Sequence, residues 1–161
     1  MKKLIAPLFL LTLTFSQAKE LPMKWITFMK EAGAAEALMA DMANPSHKPG
    51  PEHIMETAKK LEEAKAALVQ SGDLTRKQYT YTGNPDEATM ENMSKFFHKL
   101  ESKYGYAASR EMSGMGITFL VKNEFEFPHS FVGITFTACM TETEMKEFFA
   151  LTKGFIKEAK E

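Results

Sequence analysis

The stretch GITFLVKNEFEFPHSFVGITFTACM, from Gly116 to Met140, decides the predicted fold because it has the densest apolar alternation in the chain. Apolar residues occupy odd positions in its first half and even positions in its second half, which is typical of strands with one buried face. Pairing Phe127 with Val132 brings both sets to the same side of a β-hairpin. Residues Pro128 to Phe131 then form the hairpin loop.

The periodicity of the flanking segments predicts helices that pack against this hairpin. Asn84 is the expected N-cap of the third helix, and the Thr141–Glu144 segment is a capping box that opens the last one. The resulting order, ααβαβββα, predicts an α+β fold: an N-terminal helical hairpin, then a small, mostly antiparallel sheet with helices packed on one face. The predicted elements are helices at 22–43, 51–71 and 85–104, strands at 77–82 and 106–112, the hairpin, and a last helix at 142–159.

The first eighteen residues have the composition of a cleavable secretory leader. Lys2 and Lys3 precede the apolar run from Leu4 to Phe15, and Ser16-Gln17-Ala18 supplies small residues for a cleavage site. The run is shorter than the ~20 residues that a membrane anchor needs. We therefore expect residues 1–18 to be removed and residues 19–161 to form a single α+β domain. Such a short leader is typical of bacterial export, to the periplasm or the medium.

The charge of the chain is close to neutral. Its formal net charge is −1, and −3 once the two lysines of the leader are removed. This balance gives no strong electrostatic attraction to nucleic acid or to an anionic membrane surface.

Cys139 is the only cysteine, so no disulfide can form within the chain. In the hairpin register it faces away from Ala138 and Met140. We expect a neighbouring element to cover it, because free cysteines are usually buried. The alternative is a disulfide between two chains in an oxidising compartment.

The established sequence signatures of catalysis are absent. The chain has no HExxH, GxSxG, P-loop, GxGxxG or CxxC motif. Glu124 and Glu126 share one strand face, an arrangement that acid–base chemistry can use, but a solvated outer face explains them better. The sequence therefore favours a non-catalytic protein without a cofactor.

Methionine is the one unusual component, with twelve in the chain. Met39 and Met42 lie one turn apart on a predicted helix, and His47 and His53 flank the connection that follows. Thioether ligands select Cu(I), so these four residues are a candidate metal site. Filling of an irregular core is the competing explanation for the methionines.

Three functional hypotheses follow from these patterns. The first is an exported, non-catalytic domain that binds a protein partner as an adaptor, an inhibitor or a toxin-neutralising protein. His129 and Phe131, in the hairpin loop, are its candidate contact residues. The second is a periplasmic Cu(I) binder that uses the methionine and histidine residues. The third is a small-ligand carrier or hydrolase with an apolar pocket between the sheet and the helices, lined by Phe and Met.

Overall fold

The computed structural model describes residues 21–83, 85–114, 132–152 and 154–159 of the chain. Helices and a small antiparallel sheet make up these ranges, so the predicted α+β class is confirmed. The elements are α1 (Met23–Ala43), α2 (Pro51–Gln70), β1 (Thr75–Tyr81), α3 (Glu87–Tyr104), α4 (Tyr106–Ser113), β2 (Thr135–Met140), α5 (Glu142–Leu151) and β3 (Ile156–Glu158).

The sheet has the strand order β2–β1–β3, and both pairings are antiparallel. Tyr79 of β1 lies opposite Phe136 of β2 and Glu158 of β3. Side chains alternate between the two faces of a strand, so this register shows which residues lie on the same face of the sheet. One face is buried beneath helices and presents Tyr79, Tyr81, Phe136, Ala138 and Met140.

Tyr79 is at the centre of the core. Its ring is stacked on Phe136 at 5.6 Å between centroids and meets Phe148 of α5 edge-to-face at 5.3 Å. Its hydroxyl donates a hydrogen bond of 2.8 Å to the backbone carbonyl of Ser113 at the end of α4. That bond satisfies the polar tip of an otherwise buried ring. The central strand is therefore joined to α5 through apolar contacts and to α4 through a hydrogen bond.

The predicted helical hairpin of α1 and α2 is present, although some residues of its predicted apolar stripes are exposed. The buried row of α1 comprises Trp25, Phe28, Ala32 and Leu38. Met42 was expected to continue this row, but its side chain is 47% exposed. The buried row of α1 ends at Leu38, and the first buried residue of α2 is Thr57, so no residue at the tip of the hairpin, from 39 to 56, is buried.

The predicted long hairpin is only partly described. Its first arm and its loop, residues 116–131, lie outside the described residues. In the second arm Phe136, Ala138 and Met140 share a buried face, as expected. Val132 does not join them: it is exposed and lies in a turn. In the described part of the chain, β2 pairs with β1, which had been expected to be a separate short strand.

The strand expected at 106–112 is wrong, because Tyr106–Ser113 is the helix α4. Gly105, with a φ of 85°, ends α3 and lets a second helix begin at once in a new direction. The buried residues Ala108 and Met112 are four apart, which is helical spacing. A helix of only about two turns is too short for its apolar periodicity to be recognised in the sequence.

The last helix is also shorter than predicted. The prediction extended it to Ala159, but α5 ends at Leu151 and Ile156–Glu158 is the strand β3. Phe155 and Ile156 are buried as expected, although from a different backbone conformation. Gly154 has a low helix propensity, and the open edge of β1 offers hydrogen bonds that compensate for ending the helix.

Of the two predicted helix N-caps, that of α5 is confirmed and that of α3 is wrong. The capping box of α5 is confirmed: Thr141 Oγ1 accepts from Glu144 N, and Glu144 Oε2 accepts from Thr141 N, both at 3.3 Å. For α3 the N-cap is Asp86, not Asn84, because Asp86 Oδ1 accepts from Thr89 N at 2.7 Å. The helix therefore begins two residues later than expected.

Glu144 does more than cap α5. Its side chain is only 6% exposed and accepts hydrogen bonds from Lys103 Nζ at 2.8 Å and from the Tyr104 hydroxyl at 2.9 Å. Tyr104 in turn is stacked on Trp25 of α1, with 4.8 Å between ring centroids. A single carboxylate thus links the start of α5 to the end of α3 and, through Tyr104, to α1.

We also compared the helices with the dimensions of a lipid bilayer. Within the ranges that the structure describes, no helix combines the length and the hydrophobicity needed to cross a membrane.

Candidate ligand-binding groove

A groove of about 640 Å³ lies between α5 and the helix-covered face of the sheet, at β1 and β3. It extends along α5 from Glu142, the first residue of this helix, to Phe149, and its other side is formed by β1 and β3. The described residues that line it are Thr75, Lys77, Glu142, Met145, Lys146, Phe149, Ile156 and Glu158.

The floor of the groove is apolar. Met145 and Phe149 are four residues apart on α5, so both point toward the sheet. Ile156 joins them from β3, where it lies opposite Tyr81 on the buried face. Met145 and Ile156 are buried, whereas Phe149 is partly accessible from the groove. A thioether, an aromatic ring and a branched aliphatic chain together form a surface that suits an apolar ligand.

Two ion pairs form the rim of the groove. Lys146 donates to Glu142 at 2.6 Å along α5, and Lys77 donates to Glu158 from β1 to β3. The hydrogen bond from Lys146 lowers the pKa of Glu142, so this carboxyl is ionised at neutral pH. The Lys77 ammonium is also 6.0 Å from the centroid of the Phe149 ring. Each positive charge of the rim therefore has its own negative partner.

The polar groups of the groove are a threonine hydroxyl and the two lysine–carboxylate pairs of the rim. Among its described lining residues there is no His, Cys or Ser. The two carboxylates, Glu142 and Glu158, are each hydrogen-bonded to a lysine.

A second, smaller cavity of about 220 Å³ has a polar lining. Lys65 of α2 binds Glu62 at 2.7 Å and Glu111 of α4 at 3.2 Å, and Arg76 of β1 binds Glu62 at 3.0 Å. Burial opposes the charge of Lys65, but its two carboxylate partners raise the pKa of the ammonium above its usual value. The network connects α2, α4 and β1 across the wall of the cavity.

Cys139 lies in this second cavity and is a buried free thiol. Its partner in the β1–β2 register is Arg76, whose side chain lines the same cavity. The expectation that a neighbouring element covers Cys139 is therefore confirmed. The thiol lies on the face opposite Ala138 and Met140, as the alternation predicted.

The candidate metal ligands all lie at one end of the α1–α2 hairpin. Met39 is partly buried, Met42 is exposed, and the imidazoles of His47 and His53 are exposed. Within the described ranges, no group of three or more His, Cys, Asp or Glu side chains is placed to hold a metal ion. The predicted soft-metal site depends on thioethers, which that finding does not cover, so it stays a prediction.

The candidate partner-binding residues, His129 and Phe131, lie outside the described residues.

The sequence suggested an apolar pocket between the sheet and the helices, but it did not locate the groove. Met145, Phe149 and Ile156 were assigned to one buried stripe of a continuous helix, which leaves no room for a concave surface. The sequence feature that argued against one continuous helix was Gly154. Glycine weakens a helix, and this residue follows the end of α5. Glu144 was recognised as a capping residue, but its contacts with Lys103 and Tyr104 could not be foreseen from sequence.

Comparisons with known proteins give no further guidance. No family model matches the chain, and neither the curated proteins nor the solved structures include a match.

Proposed function

We propose that this protein is a non-catalytic binding domain that holds an uncharged, mostly apolar small molecule in the groove between α5 and the sheet. The observation that supports this proposal is the groove itself, with its buried apolar floor and a rim whose charges cancel. It also meets the criterion set by the third hypothesis from the sequence, a pocket lined by Phe and Met with a few converging polar groups.

The size of the groove favours a small molecule over a protein partner. About 640 Å³ is within the range of roughly 300 to 1,000 Å³ that is usual for small-ligand sites. A stable protein interface needs on the order of 800 Å² from each partner, which is far more than this floor offers. Binding of a protein partner, the first hypothesis from the sequence, stays a prediction.

The rim explains why the ligand should be uncharged. A carboxylate on the ligand would have to compete with Glu142 for Lys146, and an ammonium would have to compete with Lys146 for Glu142. The same holds for Lys77 and Glu158. Since exposed ion pairs contribute at most about 1 kcal/mol, exchanging one partner for another gains little. Burial of apolar surface is then the main source of affinity.

The uncharged fluorophore N-phenyl-1-naphthylamine tests this proposal. We expect its fluorescence to rise on binding to the native chain, with a dissociation constant in the micromolar range. Replacing Thr75, which lines the groove, by tryptophan places an indole ring in the space of the ligand and should weaken binding at least tenfold. Raising the NaCl concentration from 50 to 500 mM should change the affinity less than twofold, because no net charge attracts the ligand.

Thr80→Trp is the matched control for Thr75→Trp. Thr80 is on the same strand, but its side chain lies on the opposite face, where its hydroxyl is 3.0 Å from that of Thr135. We expect Thr80→Trp to bind the fluorophore within twofold of the native chain. Equal losses in the two variants, or no loss in Thr75→Trp, would contradict the assignment of the groove.

We further propose that the protein is exported, on the strength of its leader sequence. When it is expressed in a bacterium, the chain recovered from the periplasm should begin at Lys19, as N-terminal sequencing or intact mass can show. Ala18→Phe should block cleavage because the position before the cut needs a small residue. Gln17→Phe, at the tolerant neighbouring position, should leave cleavage unchanged. A native chain that keeps its first eighteen residues would refute the proposal.

A further inference from the structure

The wall of the groove on α5 is one stripe of side chains. Glu142, Met145, Lys146 and Phe149 are at positions i, i+3, i+4 and i+7, which puts all four on the same side of the helix. Since an α-helix rises about 1.5 Å per residue, this stripe is about 10 Å long. The groove therefore runs along the axis of α5.

The wall on the sheet runs in the same direction. Thr75 of β1 lies opposite Met140 of β2, and α5 begins at Glu142, two residues after Met140. Thr75 is therefore at the end of the groove where α5 begins. Lys77 follows two residues later on the same face of β1, and its ammonium lies 6.0 Å from the centroid of the Phe149 ring. The two walls are thus in step along the groove.

The two ends of the groove differ in the groups that they offer. The end at the start of α5 has the Thr75 hydroxyl and the pair in which Lys146 donates to Glu142 at 2.6 Å. The other end has the ring of Phe149 and the branched side chain of Ile156, with the second ion pair on its rim. A ligand with one polar end and one apolar end matches this arrangement.

A hydroxyl group suits the polar end better than a charged group. The pair of Glu142 and Lys146 presents a carboxylate that accepts hydrogen bonds and an ammonium that donates them. A hydroxyl can donate to one and accept from the other, and it leaves their charges balanced. A charged head group would instead compete with one member of the pair for the other.

We propose that the groove binds one linear alkyl chain with an uncharged hydroxyl head group. The head lies beside Thr75 and the Glu142–Lys146 pair, and the tail extends along Phe149 toward Ile156. Because the same groove carries the proposed function, this inference rests on it. An extended chain advances about 3.4 Å for every three backbone bonds, so about nine bonds span the stripe on α5. The expected ligand therefore has about ten carbons.

Calorimetric titration of the full chain with 1-alkanols of six to twelve carbons tests the linear shape. We expect the affinity to rise about fourfold for each added methylene up to 1-decanol, which corresponds to about 0.8 kcal/mol per methylene. From 1-decanol to 1-dodecanol it should rise less than twofold, because the last carbons pass the end of the groove. No dependence on length, or an unbroken rise to 1-dodecanol, would overturn the inference.

The fluorophore N-phenyl-1-naphthylamine separates this inference from the proposed function. If the fluorophore binds in the groove and the alkanols show no limit in length, the groove is a general apolar site and only the linear ligand is wrong. If neither the fluorophore nor any alkanol binds, the proposed function fails and this inference fails with it.

Two variants of the ion pair test where the head group lies. In the native chain, 1-decanol should bind at least fivefold more tightly than decanoate or decylammonium. Lys146→Gln leaves Glu142 without its ammonium and should shift the preference between the charged ligands toward decylammonium. Glu142→Gln should shift it toward decanoate. Each shift should be about fivefold, or about 1 kcal/mol, the upper value for an exposed ion pair. Both side chains are about three-quarters exposed, so we expect both variants to fold.

Glu147→Gln is the matched control on the same helix. Glu147 accepts a hydrogen bond from Lys99 of α3 at 2.6 Å and is not among the described residues that line the groove. This variant should keep the native preference between decanoate and decylammonium within twofold. An equal shift in Glu147→Gln and Glu142→Gln, or no shift in Glu142→Gln, would contradict the position of the head group. A shift in Glu158→Gln alone would place the head at the other end and overturn the proposed orientation.

Discussion

Replacing Gly114 by alanine is expected to lower the free energy of unfolding by about 3 kcal/mol, from left-handed backbone strain and overpacking together. Gly114 ends α4 with a φ of 71°, a conformation that costs residues with a Cβ about 1 to 2 kcal/mol. A Cβ at this position would also lie 2.5 Å from the backbone oxygen of Thr137 in β2. Because that atom belongs to a strand and not to a flexible side chain, α4 and β2 would have to separate. Urea denaturation measures the loss.

Comparison with Gly72→Ala separates the cost of the backbone conformation from the cost of overpacking. Gly72 has a similar φ of 77°, but no atom lies within 4 Å of the position that its Cβ would occupy. We expect this variant to lose only about 1 kcal/mol, the cost of the backbone conformation alone. If Gly114→Ala and Gly72→Ala lower the free energy of unfolding by amounts that agree within about 0.5 kcal/mol, the close approach of Gly114 to Thr137 adds nothing to the cost of a Cβ at position 114.

The second large effect is expected at Glu144. Glu144→Ala removes the capping box of α5 and leaves the buried Tyr104 hydroxyl without its acceptor. A cap is worth about 1 kcal/mol and a hydrogen bond to a charged group about 1.5 to 3 kcal/mol. We therefore expect a loss of about 3 kcal/mol at pH 7. Glu142→Gln, in the same turn but with a side chain that is 75% exposed, should change the stability by less than about 0.5 kcal/mol.

The contribution of Glu144 should also depend on pH. Burial opposes its ionisation, but hydrogen bonds from Lys103, Thr141 and Tyr104 outweigh burial and lower the pKa of the carboxyl. A carboxyl whose pKa is lower in the folded state stabilises the protein above its unfolded pKa, at about 4.3, and loses this effect as the pH falls through the folded pKa. Glu144→Gln resembles the protonated form, so the stability difference between it and the native chain should shrink below pH 4. A difference that stays constant from pH 7 to pH 3 would contradict this.

Local patterns predicted local structure well. The alternation at Phe136, Ala138 and Met140 gave the correct buried face of β2, and the Thr141–Glu144 capping box located the start of α5. These predictions succeed because the physical cause lies within a few residues of the signal. The helical hairpin of α1 and α2 succeeded for the same reason.

The pairing of strands that are far apart in the chain could not be predicted from the sequence. Ile156 suits both the stripe of a helix and a buried strand, and only the open edge of β1 decides between them. That edge is supplied by residues more than 70 positions earlier in the chain, as the pairing of Tyr81 with Ile156 shows. The groove depends on this choice, because it exists only if the chain leaves α5 at Leu151 and returns as β3. Its lining could therefore not be predicted without the fold.

The strand order of the sheet has a consequence for the sequence of events in folding. The helical hairpin needs only residues 23–70, so it can form while the chain is still being synthesised. The central strand β1 has partners that come much later: Thr80 meets Thr135 across 55 residues, and Lys77 meets Glu158 across 81. Closing such long loops costs entropy before any strand contact repays it. The complete three-stranded sheet, and with it the groove, can therefore form only after β3 has been made.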